Sequence, residues 1–187
     1  MNFDKTAFFE RSSLLLALNR QLIKAGSWAG ETHMQKTVYG AQSLLAVPFG
    51  LDFVIYRHGP YSFELADDLA AMRGEEFLRL VPRVQGYGAT LLPGDRNELL
   101  WKSYAQVAAP YEDKLRFIAQ ELGPKTVAEL ERICTLIYIK GKWKATDPVQ
   151  KLVELKPHVT PELAINAAAQ LEGIEQAARA AFPPGNY

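Results

Sequence analysis

A mainly α-helical fold with a small β hairpin, built as a winged-helix-like core followed by a C-terminal helical bundle, is predicted by three observations. Apolar residues recur at helical spacing over most of the 187-residue chain. Leu51 to Tyr56 (LDFVIY) has the β-branched and aromatic composition of a strand, and Phe77 to Val84 with Tyr87 to Leu92 reads as a hairpin. The resulting order, helix, helix, strand, helix, hairpin, is that of a three-helix core carrying a β wing.

Each element has its own warrant. Residues 5 to 25 place Phe8, Ser12, Leu15, Leu18 and Leu22 on one side, an amphipathic helix that Gly26 ends. Met34, Val38, Ala41 and Leu45 mark a second helix from Glu31 to Val47, stopped by Pro48 and Gly50. After the strand, Arg57 to Ser62 reads as a turn: Gly59 supplies positive φ, Pro60 fixes its own φ, and Ser62 caps a helix running to Met72 with Leu65 and Leu69 inward. The hairpin turns near Gly86 and ends at Pro93-Gly94. From there the chain is helical over 95 to 108, 110 to 122, 125 to 139, 147 to 155 and 160 to 181. Asp95 and Thr160 are natural caps, and Pro110, Pro148 and Pro161 suit first turns. Residues 1 to 92 therefore form the core, 95 to 182 a helical part packed on it in one cooperative body, and 183 to 187 a loose tail.

Composition narrows the classes of function. An apolar fraction of 48% and a charged fraction of 22% are those of an ordinary globular protein, folding by itself or as a homodimer. Lys plus Arg equals Asp plus Glu at 21 each, so no global field draws the chain to nucleic acid or to an anionic membrane. The single cysteine, Cys134, forms no intramolecular disulfide, which fits a reducing compartment, and its helical spacing from Val127, Leu130 and Ile137 makes it a small core residue. No secretory signal and no run of 18 apolar residues occurs, so a cytoplasmic protein is expected. His33, His58 and His158 lack zinc-site spacing, and there is no phosphate loop, dinucleotide fingerprint or nucleophile elbow; neither metal, cofactor nor catalytic residue is expected.

Two constellations remain as candidate sites. His58, Gly59, Pro60, Tyr61 and Ser62 lie between a strand and a helix N-terminus, where a partner or an anion could dock, and the same residues also suffice as a tight turn and cap. The helix that follows is acidic, with Glu64, Asp67 and Asp68, which disfavours ordinary major-groove reading and suits either a basic partner or a solvated face. The only basic cluster is the loop Lys140, Lys142, Trp143 and Lys144, continued by Lys151 and Lys156; its tryptophan could stack on a base, or plug the core or a dimer partner.

Gln35-Lys36-Thr37-Val38-Tyr39, the aromatic strand Phe53 to Tyr56, and His58-Gly59-Pro60-Tyr61-Ser62 with Leu65 resemble the YwgA-like proteins, whose pattern is a (Q)K-x-x-Y helix, an aromatic strand and YGPYS..L. Val127 to Glu131, Thr135 to Tyr138 and Leu155 to Thr160 fit later parts of that pattern, so the likeness spans about Thr32 to Leu171. The turn, with Gln85-Gly86-Tyr87-Gly88, is also similar to the C-terminal domain of DarG antitoxins and, more distantly, to SocA-like (Panacea) antitoxin domains. His58 stands where the pattern has Tyr, and no macrodomain precedes the segment. The resemblance implies a non-enzymatic, helical, protein-binding domain, antitoxin-like or regulatory, acting through Gly59 to Ser62 and the acidic helix. The alternative is a winged-helix DNA-binding regulator that uses the wing and the Lys140 to Lys144 loop.

Overall fold

A computed structural model describes residues 5–83 and 88–183. The chain is mainly helical with a small β hairpin, as expected, and the described residues hold a second antiparallel hairpin that the sequence reading did not include. The elements are α1 (Lys5–Lys24), α2 (Glu31–Leu45), β1 (Val54–Tyr56), β2 (Gly59–Tyr61), α3 (Phe63–Gly74), β3 (Leu78–Pro82), β4 (Ala89–Pro93), α4 (Asn97–Ala108), a 3₁₀ turn Ala109–Tyr111, α5 (Glu112–Leu122), α6 (Val127–Tyr138), a π turn Ile139–Trp143, α7 (Pro148–Leu155) and α8 (Pro161–Ala181). The expected turn near Gly86 and the Gln85-Gly86-Tyr87 likeness lie outside the described residues, as does most of the tail.

α1 is the central rod. Leu14, Leu15, Leu16, Leu18 and Leu22 are all buried, so apolar side chains cover more of its circumference than one stripe. It packs chiefly on α4 and α5, and β4 closes its flank, where the buried Asn19 donates to the Leu91 carbonyl at 3.0 Å. α2 lies between α5 and α6 and is buried almost all round. Gly40 permits its approach to α5: a Cβ there would stand 2.7 Å from Leu122 Cδ1. Buried side chains from α1 through α8 form a single apolar cluster.

Local signals placed several boundaries. Gly26 has φ +77° and ends α1. Ser62 caps α3 through Leu65 N, Thr160 caps α8 through Leu163 N, and Thr126 with Glu129 forms a capping box on α6. Asp95 is not a cap: Arg96 holds that position without a side-chain bond, and the turn before α4 is closed by Asn97 Nδ2 on the Gly94 carbonyl. The strand expected over Leu51 to Tyr56 shortens to Val54–Tyr56, because Leu51 and Phe53 turn into the core. The expected turn Arg57 to Ser62 contracts to Arg57 and His58, and Gly59–Tyr61 pairs back as a second strand, with Val54 opposite Tyr61 and Tyr56 opposite Gly59.

A further correction concerns Asp68. Expected on an acidic surface, it is buried, 8% exposed at its side chain, and accepts from Arg11 Nε at 2.6 Å, while Arg11 also reaches Glu64 at 2.5 Å. Burial raises the Asp68 carboxyl above its ordinary range and the Arg11 guanidinium pulls it back, leaving a net rise. We predict that Arg11→Met lowers stability by about 3 kcal/mol at pH 7, because it strands a buried carboxylate. Urea titrations will show a smaller loss at pH 5, where protonation relieves the stranded group; equal losses at both pH values would show that Asp68 is not its cause.

Candidate functional site

A two-stranded hairpin with three residues per strand is marginal by itself, so β1–β2 has to be held from beneath. The holding groups are charged. Lys36, on α2 and 2% exposed, donates to the Pro60 carbonyl at 2.6 Å. Lys156, from the α7–α8 connection, donates to the carbonyls of Arg57 at 2.6 Å and Tyr56 at 3.3 Å. Between them the buried Glu131 of α6 meets Lys156 Nζ at 2.8 Å, as a charge contact and not an aligned hydrogen bond. His58 Nδ1 and His158 Nε2 stand 3.7 Å from the same carboxylate.

Beside this floor the Gln35 amide closes two bonds with Ser62, accepting from its N–H and donating to its carbonyl, each at 2.9 Å. The side chain thus continues the strand pairing for one more residue. Gly59 lies against α6 with φ +83°, the left-handed glycine that short hairpin connections use. A Cβ on it would fall 2.7 Å from Thr135 Oγ1 and 3.2 Å from the Glu131 carbonyl oxygen, so conformation and space both demand glycine.

Burial sets the proton affinities here. It lowers the Lys36 ammonium to about 8, with Glu131 and Cys134 opposing the fall and Lys156 adding to it. It lifts the Cys134 thiol to about 12 and the Tyr39 hydroxyl to about 12. Cys134 is a fully buried core residue whose Sγ lies 3.5 Å from the Lys36 carbonyl.

Above the floor, Tyr56, Tyr61 and Phe63 pack edge to face or tilted, with centroids 5.1 to 5.7 Å apart. Phe63 is nevertheless 59% exposed and Tyr56 47%, and Val54 shares their face. A cleft of about 320 Å³ opens next to the two tyrosines, between α2, the hairpin and α3.

The structure divides the residues singled out from sequence. His58, Glu64 and Asp67 are exposed and Tyr61 is half-buried, whereas Gly59, Pro60, Ser62 and Asp68 are buried and act on the hairpin and α3 from within. The basic cluster is smaller than expected and is not a loop: Ile139–Trp143 is a π turn continuing α6. Lys140 pairs with Glu175 at 2.6 Å, Lys142 lies over the Tyr138 ring, Trp143 meets the same ring edge-on, and Lys144 takes φ +50°. Lys156 leaves the cluster for Glu131.

Sequence reasoning missed Tyr56, Phe63, Glu131 and the roles of Lys36 and Lys156. Lys36 lies within the Gln35 to Tyr39 segment, but a lysine at that spacing reads as solvated until the helix is known to be buried all round. No family model and no curated protein sequence matches the chain.

Two predictions follow from this geometry. Gly59→Val destabilises the protein by about 3 kcal/mol in thermal or urea unfolding, and Thr135→Ala in the same chain restores part of the loss by clearing the clash; no change in either variant would refute the positive-φ contact. The second concerns alkaline pH. Lys36 is depressed on folding, so from pH 8 to its ordinary 10.5 the unfolded chain binds more protons and stability rises with pH. Cys134 and Tyr39 are raised, so above their ordinary 9 and 10 the unfolded chain loses protons first and stability falls. These three groups together give a rise of up to about 1 kcal/mol between pH 8 and 9, a level stretch, and a fall above pH 10. In Lys36→Met the initial rise disappears.

Proposed function

We propose that the chain is a non-enzymatic protein-binding module, antitoxin-like or regulatory, of the kind that its resemblance to the YwgA-like proteins implies, and that it grips its partner with the β1–β2 hairpin and the start of α3. The observation that carries this reading is the exposed ring cluster Tyr56, Tyr61 and Phe63, with Val54 beside it. Burying such rings releases water over a large area at low cost in side-chain entropy, which is why aromatic residues concentrate at the energetic centres of interfaces. Glu64 and Asp67 stand exposed at its edge. The complementary surface therefore carries apolar side chains rimmed by Lys or Arg, as a toxin that acts on nucleic acid would. Asp68 belongs to the fold and not to this surface.

The proposal is tested by placing a photo-crosslinking phenylalanine analogue at position 63 in cells that make the protein. One dominant protein adduct is expected, reduced several-fold by Glu64→Gln with Asp67→Asn and abolished by Tyr56→Ser. The DNA-reading alternative predicts instead a duplex affinity that falls steeply between about 50 and 200 mM salt and tightens when Glu64 and Asp67 are neutralised. That result, with no adduct at position 63, would replace the present proposal.

A further inference from the structure

The groups beneath the hairpin do not balance. Two buried lysines, Lys36 and Lys156, feel the charge of one buried carboxylate, Glu131, and Lys156 makes the 2.8 Å contact with it. Among the described residues Lys36 has one hydrogen-bond acceptor, the Pro60 carbonyl, so one of its three protons is engaged. Lys36 is also one of the residues that line the cleft. Arg57 stands at the mouth with its guanidinium over the Tyr56 ring at 6.0 Å, and His58 is next to it. The one carboxylate on the cleft wall, Glu31, is already paired with Arg73 at 2.5 Å. The tyrosine rings 56 and 61 supply flat apolar walls, and about 320 Å³ is room for a ligand of modest size.

We propose that this cleft is a receptor for a small ligand with an anionic end, a carboxylate or a phosphate monoester, carried on a flat apolar body. The anion meets Lys36 and Arg57, completing the charge that Glu131 leaves unbalanced, and the body lies against Tyr56 and Tyr61. Such a group has two sources, a free small molecule or the chain terminus of a bound protein. The cleft shares Tyr56 and Tyr61 with the aromatic face but not Phe63, Glu64 or Asp67, so ligand binding read at Arg57 and Lys36 and partner capture read at position 63 can fail separately.

The test is calorimetric titration of the intact protein with phenyl phosphate, against inorganic phosphate and phenol as probes of each half. Phenyl phosphate is expected to bind at least about tenfold more tightly than either half, since both sets of contacts are needed. Arg57→Gln, an exposed position whose thermal unfolding should not move, is expected to weaken binding about tenfold, as is Lys36→Met. At pH 8, where Lys36 is partly neutral, binding in two buffers of different ionisation enthalpy should reveal proton uptake by the wild type and none by Lys36→Met. If Lys36→Met does not fold, Arg57→Gln decides alone. A peptide ending in a free phenylalanine carboxylate, compared with its amide, distinguishes the sources: tighter binding than phenyl phosphate, lost on amidation, assigns a protein terminus, and otherwise the ligand is a free small molecule. Absence of phenyl phosphate binding at millimolar concentration, or binding indifferent to Arg57→Gln, overturns the proposal.

Discussion

Three charged side chains buried under an eight-residue hairpin, Val54 to Tyr61, set the geometry of everything around the cleft. Taking an ammonium or a carboxylate out of water costs several kcal/mol, and the cost is offset only where hydrogen bonds and opposite charge are supplied in place. The hairpin supplies them. Its carbonyls at Tyr56, Arg57 and Pro60 accept from Lys156 and Lys36, so the lysines need the hairpin as much as the short hairpin needs the lysines. Glu131 ties α6 to Lys156 of the α7–α8 connection, and its charge also acts on Lys36 of α2.

From that point outward the surface follows. With β1–β2 docked, Val54 and Tyr56 face outward and Phe53 faces the core, where its ring meets Tyr39 at 4.9 Å. Ser62, tied to Gln35, begins α3 at a fixed position, and Phe63 then projects from its first turn beside Tyr61. An exposed aromatic cluster on a rigidly anchored hairpin loses little freedom when it binds, an advantage that flexible loops lack.

The electrostatic character of the surface differs from what residue counting gives. Arg11 draws Asp68 inward and engages Glu64, so the free acidity after the hairpin is smaller than three carboxylates. Glu175 and Tyr138 likewise occupy Lys140 and Lys142, and Lys156 is buried. Both charged runs that stood out along the chain are thus partly neutralised by residues distant in sequence. Beside the aromatic cluster, Asp67 keeps an exposed carboxylate.

The sequence by itself determined the helices, their caps at Ser62 and Thr160, the left-handed glycine at 59 and the β hairpin at 78–93, because each rests on apolar period, capping chemistry or φ preference within a few neighbouring residues. The second strand at Gly59–Tyr61 was hidden because a proline and a glycine in a row read as a turn, and pairing with Val54–Tyr56 needs the floor to hold it. Only the tertiary structure decided which charges are buried. Lys36, Glu131 and Lys156 are separated by up to 120 positions, each stands in a helix or connection that would suit a solvated residue equally well, and nothing local distinguishes them. Their roles come from the meeting of α2, α6 and the α7–α8 connection beneath one hairpin, where water is excluded and each charge must be satisfied by the others.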